Sequence, residues 1–186
     1  MNLKSGDFGS KDLFFCYQDA FNSIELNPEN NRLTIMVGLY DLYQQRNFGR
    51  RTGVCYVLSK GIDRAKNYDL SDGVVIDNLS HVEIAKIFNE CECCISFDLH
   101  TMYSIYASLC GCDSIIVPEP GLSKEEWQPT PVMRYGLAYG KDDVEWAKST
   151  RVDMLKNIKK IENENSKAVR CFSAKCKAYF GNGPSV

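Results

Sequence analysis

Short apolar runs rich in β-branched residues alternate along the chain with longer stretches in which apolar residues recur at helical spacing. This alternation is typical of a parallel β-sheet that is covered by helices. We therefore expect an α/β fold with a parallel sheet and flanking helices. The predicted strands, each flanked by Gly, Asp, Asn or Pro, are Leu13–Tyr17, Leu33–Leu39, Gly53–Leu58, Val74–Ile76, Cys93–Phe97 and Ser114–Val117.

Two helices are predicted from their start and stop signals. Ser80 and Glu83 are spaced as a capping box, and the apolar residues that follow them recur at helical spacing. A second helix is expected to start near Thr101, where small residues allow close packing on the sheet, and to end at Gly111. Both helices lead directly into a predicted strand.

The region after the last predicted strand is expected to be mostly helical. A short helical turn is predicted at Lys124–Trp127, and Asp142 or Asp143 is predicted to cap a long C-terminal helix. The segment Asn157–Lys167 is mostly polar, and the apolar residues beyond it predict a final amphipathic piece that packs back on the protein.

Length and composition indicate one folded domain. The chain has 186 residues, of which 44% are hydrophobic and 25% are charged, as in ordinary globular proteins. We expect residues 32–180 to form this domain. Residues 1–31 are interpreted as an N-terminal extension or the remnant of a preceding domain, and residues 181–186 as a flexible tail.

Charge and hydropathy argue against binding to nucleic acid and against insertion into a membrane. The formal net charge of −2 provides no excess of positive potential for a polyanion. No apolar run reaches the roughly 20 residues that span a bilayer, and Met1–Ser10 lacks the apolar stretch of a signal peptide. We therefore expect a cytoplasmic protein without a transmembrane segment, and a peripheral position at the inner membrane face as an alternative.

The nine cysteines are expected to be reduced thiols, since a cytoplasmic location and an odd count argue against disulfides. A zinc site is a competing hypothesis because several of them lie close together in the sequence. However, Cys93 and Cys94 are adjacent on a predicted strand and point to opposite faces, which does not suit zinc ligands. We predict buried thiols that act as small hydrophobic residues, with no bound metal.

The segment from Ser96 to Ser104 has the outline of an anion site. A predicted strand ends there in a polar loop that opens a helix, and such a helix N-terminus presents unpaired N–H groups and partial positive charge. Thr101, Tyr103 and Ser104 add hydroxyl donors. The simpler alternative is that Thr101 is only an N-cap and Tyr103 only a packed aromatic.

Basic residues flank another predicted strand, Gly53–Leu58. Lys60 is the stronger candidate for contact with a diphosphate, because it follows the carboxyl end of the strand and Gly61 allows close approach to the backbone. Arg51 lies at the other end and would have to reach the ligand from there. The alternative for both residues is a solvated surface cation.

Other polar residues near the predicted loop complete the candidate site. His100 is the histidine in the polar loop, and an exposed histidine without a special role is its alternative. Carboxylates that can hold ribose or sugar hydroxyls are Asp98, Glu119, Glu125 and Glu126, although most such groups are merely solvated.

The chain resembles a bacterial family of polysaccharide and O-antigen biosynthesis glycosyltransferases of the GT-B type in four segments, which are Arg50–Gly61, Ser96–Gly111, Val117–Trp127 and Arg134–Thr150. The resemblance covers most of Arg32–Thr150. The residues that carry it are Arg51–Tyr56, Lys60-Gly61, Ser96–Asp98, Thr101, Tyr103-Ser104, Ala107, Cys110–Cys112, Glu126-Trp127 and Arg134–Gly140.

In such enzymes two Rossmann-like domains face a cleft. The C-terminal domain binds the nucleotide-sugar, and the other usually binds the acceptor and often contributes a catalytic base. The chain looks like the C-terminal domain alone, one half of a GT-B fold. The resemblance thus implies transfer of a sugar from a nucleoside diphosphate-sugar to a glycan or lipid-linked acceptor, with a separate acceptor-binding domain or chain as a partner.

The resemblance also suggests which residues face the donor. Asp98, Thr101, Tyr103 and Ser104 are carried over first, and then Lys60 and Arg51; His100 and Glu126 complete the predicted donor site. GT-B enzymes generally stabilise the departing diphosphate with helix dipoles and basic side chains, so no metal or other cofactor is expected. The catalytic residue stays unassigned.

One departure from the family pattern concerns the stereochemistry of the reaction. Many retaining GT-B enzymes carry two glutamates eight positions apart, ahead of the alanine and glycine that match Ala107 and Gly111. Asp98 and Tyr106 stand at those two places. The usual ribose-binding glutamate is therefore missing from its expected position, which leaves the choice between retention and inversion open.

Two other functions compete with the transferase hypothesis. The chain can be a non-catalytic nucleotide-binding module or subunit, because Leu3–Asn31 is too small to form an acceptor-binding Rossmann domain. A flavodoxin-like or other small α/β ligand domain is a further possibility that rests on fold analogy.

Overall fold

The computed structural model describes residues 8–9 and 11–181. Its five strands form one sheet in the order β2-β1-β3-β4-β5, and every neighbouring pair is parallel. This confirms the predicted Rossmann-like α/β class. The strands are β1 Val54–Val57, β2 Gly73–Val75, β3 Cys93–Ser96, β4 Asp113–Ile116 and β5 Ala138–Tyr139.

Helices connect these strands and extend beyond them. They are α1 Ile62–Ala65, α2 His81–Glu90, α3 Met102–Leu109, α4 Lys124–Trp127 and α5 Val144–Phe180. The predicted capping box starts α2, since the Ser80 hydroxyl accepts the Glu83 N–H and the Glu83 carboxylate accepts the Ser80 N–H. The helices predicted after Thr101 and at Lys124–Trp127 are confirmed as α3 and α4.

The prediction of two strands near the N-terminus, at Leu13–Tyr17 and Leu33–Leu39, is wrong. In Leu13–Tyr17 only Cys16 is in a β-bridge, an isolated parallel one to Arg32, and Leu33–Leu39 contains no strand residue. Part of the backbone there is paired with side chains instead of a ladder, as when the Asn165 side chain accepts the Met36 N–H at 3.1 Å. Apolar β-branched composition makes a strand possible, but a strand also needs a neighbour of suitable length.

A short strand, β5, was not predicted. Its two residues pair with the end of β4, in the register Ile115 with Ala138 and Ile116 with Tyr139. Two residues are too few for a period-2 pattern to be recognised, so only the pairing identifies them as a strand.

The C-terminal helix α5 is confirmed as long, but it differs from the prediction in its continuity. It spans 37 residues and includes both the polar segment Asn157–Lys167 and the expected amphipathic piece. Lys, Glu and Asn are tolerated in helices, so polarity alone does not end one. Asp143 lies in the short helical turn Lys141–Asp143 before α5, where its carboxylate accepts the Tyr139 N–H at 3.1 Å.

The chain forms two compact units, one of Gly38–Asn157 and one of Met1–Val37 with Ile158–Val186. The latter unit contains an edge-on contact of the Phe15 and Phe172 rings, whose centroids are 4.8 Å apart. In the same unit the Asn165 side chain donates to the Met36 carbonyl at 2.6 Å and accepts its N–H. The tail predicted at 181–186 lies, apart from Gly181, outside the described residues, as does most of Met1–Ser10.

The unit Gly38–Asn157 has apolar cores on both faces of the sheet. Helices α2 and α3 cover one face, where Cys55, Cys94 and Cys110 are fully buried beside Phe88. Burial raises the pKa of the Cys110 thiol to about 12, so that this side chain stays a neutral thiol. The cysteines of this core are buried as expected, and they act as small hydrophobic residues.

Candidate functional site

The strand order places a topological switch point between β1 and β3. From β1 the chain moves to β2 on one side and afterwards to β3 on the other, so the loops after β1 and β3 diverge at this point. Ligands of open parallel sheets bind in the crevice outside the carboxyl ends of the strands at such a point. The segments that border it are Leu58–Gly61, which follows β1, and Phe97–Thr101, which follows β3.

The segment after β1 is a tight turn held by the neighbouring strand β2. Its central residue Ser59 has φ of +39°, in the left-handed region. The carboxylate of Asp77, which follows β2, accepts the Leu58 N–H and the Ser59 hydroxyl, each at 2.9 Å, and also accepts the Ser59 N–H. This turn carries Lys60, which is exposed.

Gly61 allows the turn to lie directly against the end of β3. A Cβ atom at this position would be 2.0 Å from the Phe97 carbonyl oxygen, which is an impossible contact. Gly61 was predicted to allow close approach of a ligand, whereas in the structure its missing side chain allows close approach of the chain itself.

Asp98 joins the two segments across the switch point. The residue is 6% exposed, and its carboxylate accepts the His100 N–H at 2.9 Å and the Lys60 N–H at 3.4 Å. The Ser96 hydroxyl donates to the Asp98 carbonyl at 2.7 Å. The structure thus brings the predicted residues Lys60, Asp98 and His100 together, with Asp98 as the buried bridge.

Thr101 starts α3 at the same place. Its hydroxyl accepts the Tyr103 N–H at 3.2 Å, which is the geometry of an N-cap. The simpler interpretation of Thr101 is therefore present in the structure. It is compatible with a ligand because the positive end of the α3 dipole lies beyond the carboxyl end of β3.

Tyr103 and Ser104 take part in packing. The Tyr103 ring contacts Tyr106 edge-on, with centroids 6.4 Å apart, and it packs against the core under α2 and α3. Ser104 is 1% exposed, and among the described residues its hydroxyl has no hydrogen-bond partner. In this conformation the Ser104 hydroxyl is enclosed by the protein and is not accessible to a ligand from solvent.

His100 lies on an aromatic stack, and its backbone N–H donates to Asp98. Its ring is stacked over Trp127 with centroids 6.3 Å apart, and Trp127 is stacked on Tyr139 at 4.9 Å. Burial lowers the pKa of His100 from 6.5; the Asp98 carboxylate opposes this shift and the Lys60 ammonium reinforces it. The imidazole is therefore neutral at pH 7.

Arg51 precedes β1, so it lies at the amino-terminal ends of the strands, whereas Lys60, Asp98 and His100 lie beyond the carboxyl ends. Its guanidinium donates to the carbonyls of Phe88 at 2.8 Å, Cys110 at 2.6 Å and Asn47 at 2.9 Å. Phe88 and Cys110 are at the C-terminal ends of α2 and α3, where a cation is favourable for the helix dipole. The structure does not bring Arg51 to Lys60 and Asp98.

Glu126 is part of a capping box that the sequence analysis did not identify. Its carboxylate accepts the Ser123 N–H at 2.9 Å and the Ser123 hydroxyl at 2.7 Å, at the start of α4. The backbone hydrogen bond from Ser123, and then the side-chain one, lower the pKa of Glu126. Its first role is thus to cap a helix.

Two residues that contact the segments after β1 and β3 are not among those predicted from the sequence. Arg64 of α1 donates to the Phe97 carbonyl at 2.5 Å and also to the Val117 carbonyl, which ties the ends of β3 and β4 together. Asp77 directly follows the predicted strand Val74–Ile76, so its position at a strand end is visible in the sequence. Arg64 carried no comparable signal.

Within residues 8–9 and 11–181, no group of three or more His, Cys, Asp or Glu side chains is arranged to hold a metal ion. Among the helices of the described chain, none combines the length and apolar character needed to cross a bilayer. In comparisons with known proteins, the chain matches no protein-family model and no curated protein. The glycosyltransferase resemblance therefore stays a hypothesis, and the predicted absence of a cofactor stays a prediction.

Proposed function

We propose that this chain is the donor-binding half of a GT-B-type glycosyltransferase, which transfers a sugar from a nucleoside diphosphate-sugar to a glycan or lipid-linked acceptor in polysaccharide biosynthesis. The observation that carries the proposal is the junction at the switch point. The Lys60 turn and the loop that opens α3 meet there, joined by the hydrogen bond from the Lys60 N–H to Asp98 at 3.4 Å.

Within this proposal the diphosphate binds between Lys60 and the start of α3. The exposed Lys60 ammonium supplies a full positive charge, and the α3 N-terminus supplies a partial one together with backbone N–H groups. Both stabilise negative charge that develops on the departing diphosphate, as a metal ion does in other enzymes. Neutral His100 adds a hydrogen-bonding group without adding charge.

The proposal assigns the acceptor to another domain or chain. The described residues contain one sheet of five strands, which corresponds to one Rossmann-like domain. The acceptor site and a catalytic base are expected from the partner that faces the carboxyl edge of this sheet. A cytoplasmic location is part of the same proposal.

Titration calorimetry of the chain with UDP, GDP, ADP and their sugar conjugates tests the donor site. We expect one of these nucleotides to bind, and Lys60→Ala to weaken its binding about tenfold, as loss of a charge-assisted hydrogen bond does. Lys86→Ala is the matched control, because Lys86 is an exposed lysine of α2 that pairs with Glu90 at 3.9 Å. The Lys86→Ala variant is expected to bind the nucleotide with the same affinity as the wild type.

Thr101 requires a conservative variant as well, because it caps α3. Thr101→Ser keeps the capping hydroxyl and is expected to retain binding, whereas Thr101→Ala loses both the cap and part of the affinity. If the folded wild-type chain binds none of these nucleotides, the proposed donor site is wrong.

A non-catalytic nucleotide-binding module is the second candidate function. It is favoured by the single sheet of the described residues, since GT-B catalysis uses the cleft between two such domains. Incubation of the purified chain with a bound nucleotide-sugar and a glycan or lipid-linked acceptor distinguishes the two functions. Sugar transfer by the chain alone contradicts the second candidate, and transfer only after addition of an acceptor domain supports the proposed half-enzyme.

A further inference from the structure

The turn that carries Lys60 is held by carboxylates from both neighbouring strands. Asp77, after β2, accepts the N–H groups of Leu58 and Ser59, and Asp98, after β3, accepts the N–H group of Lys60. The Gly61 N–H donates to the Leu58 carbonyl at 2.6 Å. All four backbone donors of the turn are therefore occupied within the protein.

This occupancy limits how the turn can bind an anion. Glycine-rich phosphate-binding loops use their backbone N–H groups for the phosphate oxygens. Here those groups already donate to carboxylates or to a carbonyl, so the side chain of Lys60 is the group that the turn offers to a phosphate. Whether the Lys60 ammonium reaches a phosphate depends on where the backbone of residue 60 is held.

The backbone conformation of the turn is unfavourable without Asp77. The left-handed region is unfavourable for a non-glycine residue such as Ser59, at φ +39°, because its Cβ crowds the following carbonyl oxygen. Asp77 offsets this cost with three hydrogen bonds to the backbone of Leu58 and to the backbone and hydroxyl of Ser59. Without these bonds the turn can relax, and the origin of the Lys60 side chain moves with it.

We infer that Asp77 is a positioning residue of the nucleotide site, which acts through the Ser59 turn to place the ammonium of Lys60 against a phosphate. The inference rests on the proposed function, since it assumes that the site binds a nucleoside diphosphate. It assigns to Asp77 an effect on ligand affinity although its carboxylate contacts only the protein.

The sign of the charge effect separates positioning from simple electrostatics. Asp77 is an anion close to a site for another anion, so that loss of its charge alone favours phosphate binding. The substitution Asp77→Asn keeps the shape but replaces one accepting oxygen by a donating NH₂ group, which cannot accept an N–H of the turn. Positioning therefore predicts weaker binding, and electrostatics alone predicts tighter binding.

The experiment is calorimetric titration of variants with the nucleoside diphosphate that the wild type binds. Asp77→Asn is expected to bind about tenfold more weakly, the effect of losing a charge-assisted contact. Asp63→Asn is the control, because Asp63 is an exposed anion of α1 that pairs with Lys66, and its affinity is expected to be unchanged or slightly higher. Addition of Ser59→Gly to Asp77→Asn should restore affinity, since glycine adopts positive φ freely.

A double-mutant cycle tests whether Asp77 acts through Lys60. In the Lys60→Ala background, Asp77→Asn should cause no further loss, whereas an independent structural effect adds to the loss. Ser59→Val gives a second route that leaves Asp77 in place, because a β-branched residue strongly disfavours positive φ. It is expected to weaken binding as much as Asp77→Asn, and it decides the question if Asp77→Asn does not fold.

Each outcome decides one of the two claims. If the wild type binds no nucleotide, the proposed function is wrong and the positioning role is wrong with it. If the wild type binds but Asp77→Asn or Ser59→Val binds equally well, the donor site stands and the positioning role is overturned. The positioning role is also overturned if Asp77→Asn causes the same loss of affinity in the wild type and in the Lys60→Ala variant. Such a result shows that Lys60 is not the group being positioned.

Discussion

Individual arginines of the unit Gly38–Asn157 bind backbone carbonyls. Arg51 donates to carbonyls at the C-terminal ends of α2 and α3, and Arg64 donates to the chain after β3 and β4. Arg151 of α5 donates to the Cys112 carbonyl at 3.3 Å and to the Asp113 carboxylate at 3.1 Å. Carbonyls at the ends of helices and strands lack partners in regular structure, so a guanidinium with five donors satisfies several of them at once.

Arg51 is consequently predicted to stabilise the fold. Arg51→Ala leaves the carbonyls of Phe88 and Cys110 without their donor, and we expect it to lower the free energy of unfolding by about 2–4 kcal/mol. Urea unfolding followed by circular dichroism measures this change. The neighbouring exposed Arg50 provides the control, since Arg50→Ala should leave stability within about 0.5 kcal/mol of the wild type.

Unchanged stability together with weaker nucleotide binding would instead support the predicted role of Arg51 in donor binding. A variant Arg51→Ala that unfolds like the wild type but binds nucleotide more weakly contradicts the structural role. Comparison with Lys60→Ala, which should lose affinity without losing stability, separates the two cations by the kind of defect that each produces.

At the scale of elements, the candidate site depends on how closely the loop after β1 approaches the loop after β3. The approach is possible because Gly61 has no side chain where the Phe97 carbonyl lies. Asp98 then spans both loops with hydrogen bonds from Lys60 and His100. The hydrogen bond from the Lys60 N–H to the Asp98 carboxylate joins the two loops directly.

Gly61→Ala is predicted to force these two elements apart. The added Cβ would be 2.0 Å from the Phe97 carbonyl oxygen, and relief requires movement of the backbone. We expect a loss of about 1–3 kcal/mol of stability, typical of overpacking with backbone displacement, and a lower melting temperature by calorimetry. Gly49→Ala is the control, since its nearest atom, Asn47 Oδ1, is at an ordinary 3.4 Å; equal melting temperatures for the two variants contradict the packing role.

At the scale of the molecule, the two compact units differ in how their backbones are paired. The unit Gly38–Asn157 has a five-stranded sheet with packed cores on both faces. In the described part of the other unit, pairing outside α5 includes the single bridge Cys16 to Arg32 and side-chain bonds such as those of Asn27. Backbone amides are protected from exchange when opening them exposes a cooperative core.

We therefore predict that backbone amides of the two units exchange with solvent at different rates. Amides of β1, β3 and β4 should exchange most slowly, and amides of the segment 11–35 should exchange faster by at least about tenfold, which corresponds to 1.4 kcal/mol of opening free energy. Exchange measured by mass spectrometry on peptides from both regions tests this. Equal protection in both units shows instead that they unfold as one cooperative structure.

Much of the fold was predictable because its signals are local. The capping box of Ser80 and Glu83 acts within four residues, and Thr101 caps α3 in the same way. Four strands of the sheet were recognised from β-branched runs. The same kind of run at Leu13–Tyr17 is not a strand, because pairing depends on a second segment that composition does not specify.

The amino-acid sequence by itself determined the α/β class, the main helix starts and the presence of cations, carboxylates and hydroxyls near strand ends. Tertiary structure alone decided which of these groups meet. Lys60 and Asp98 meet beyond the carboxyl ends of the strands, Arg51 lies at the amino-terminal ends, and Asp77 supports the Lys60 turn. The physical reason is that helix and turn signals act over a few residues, whereas strand order and the close contact at Gly61 bring distant residues together.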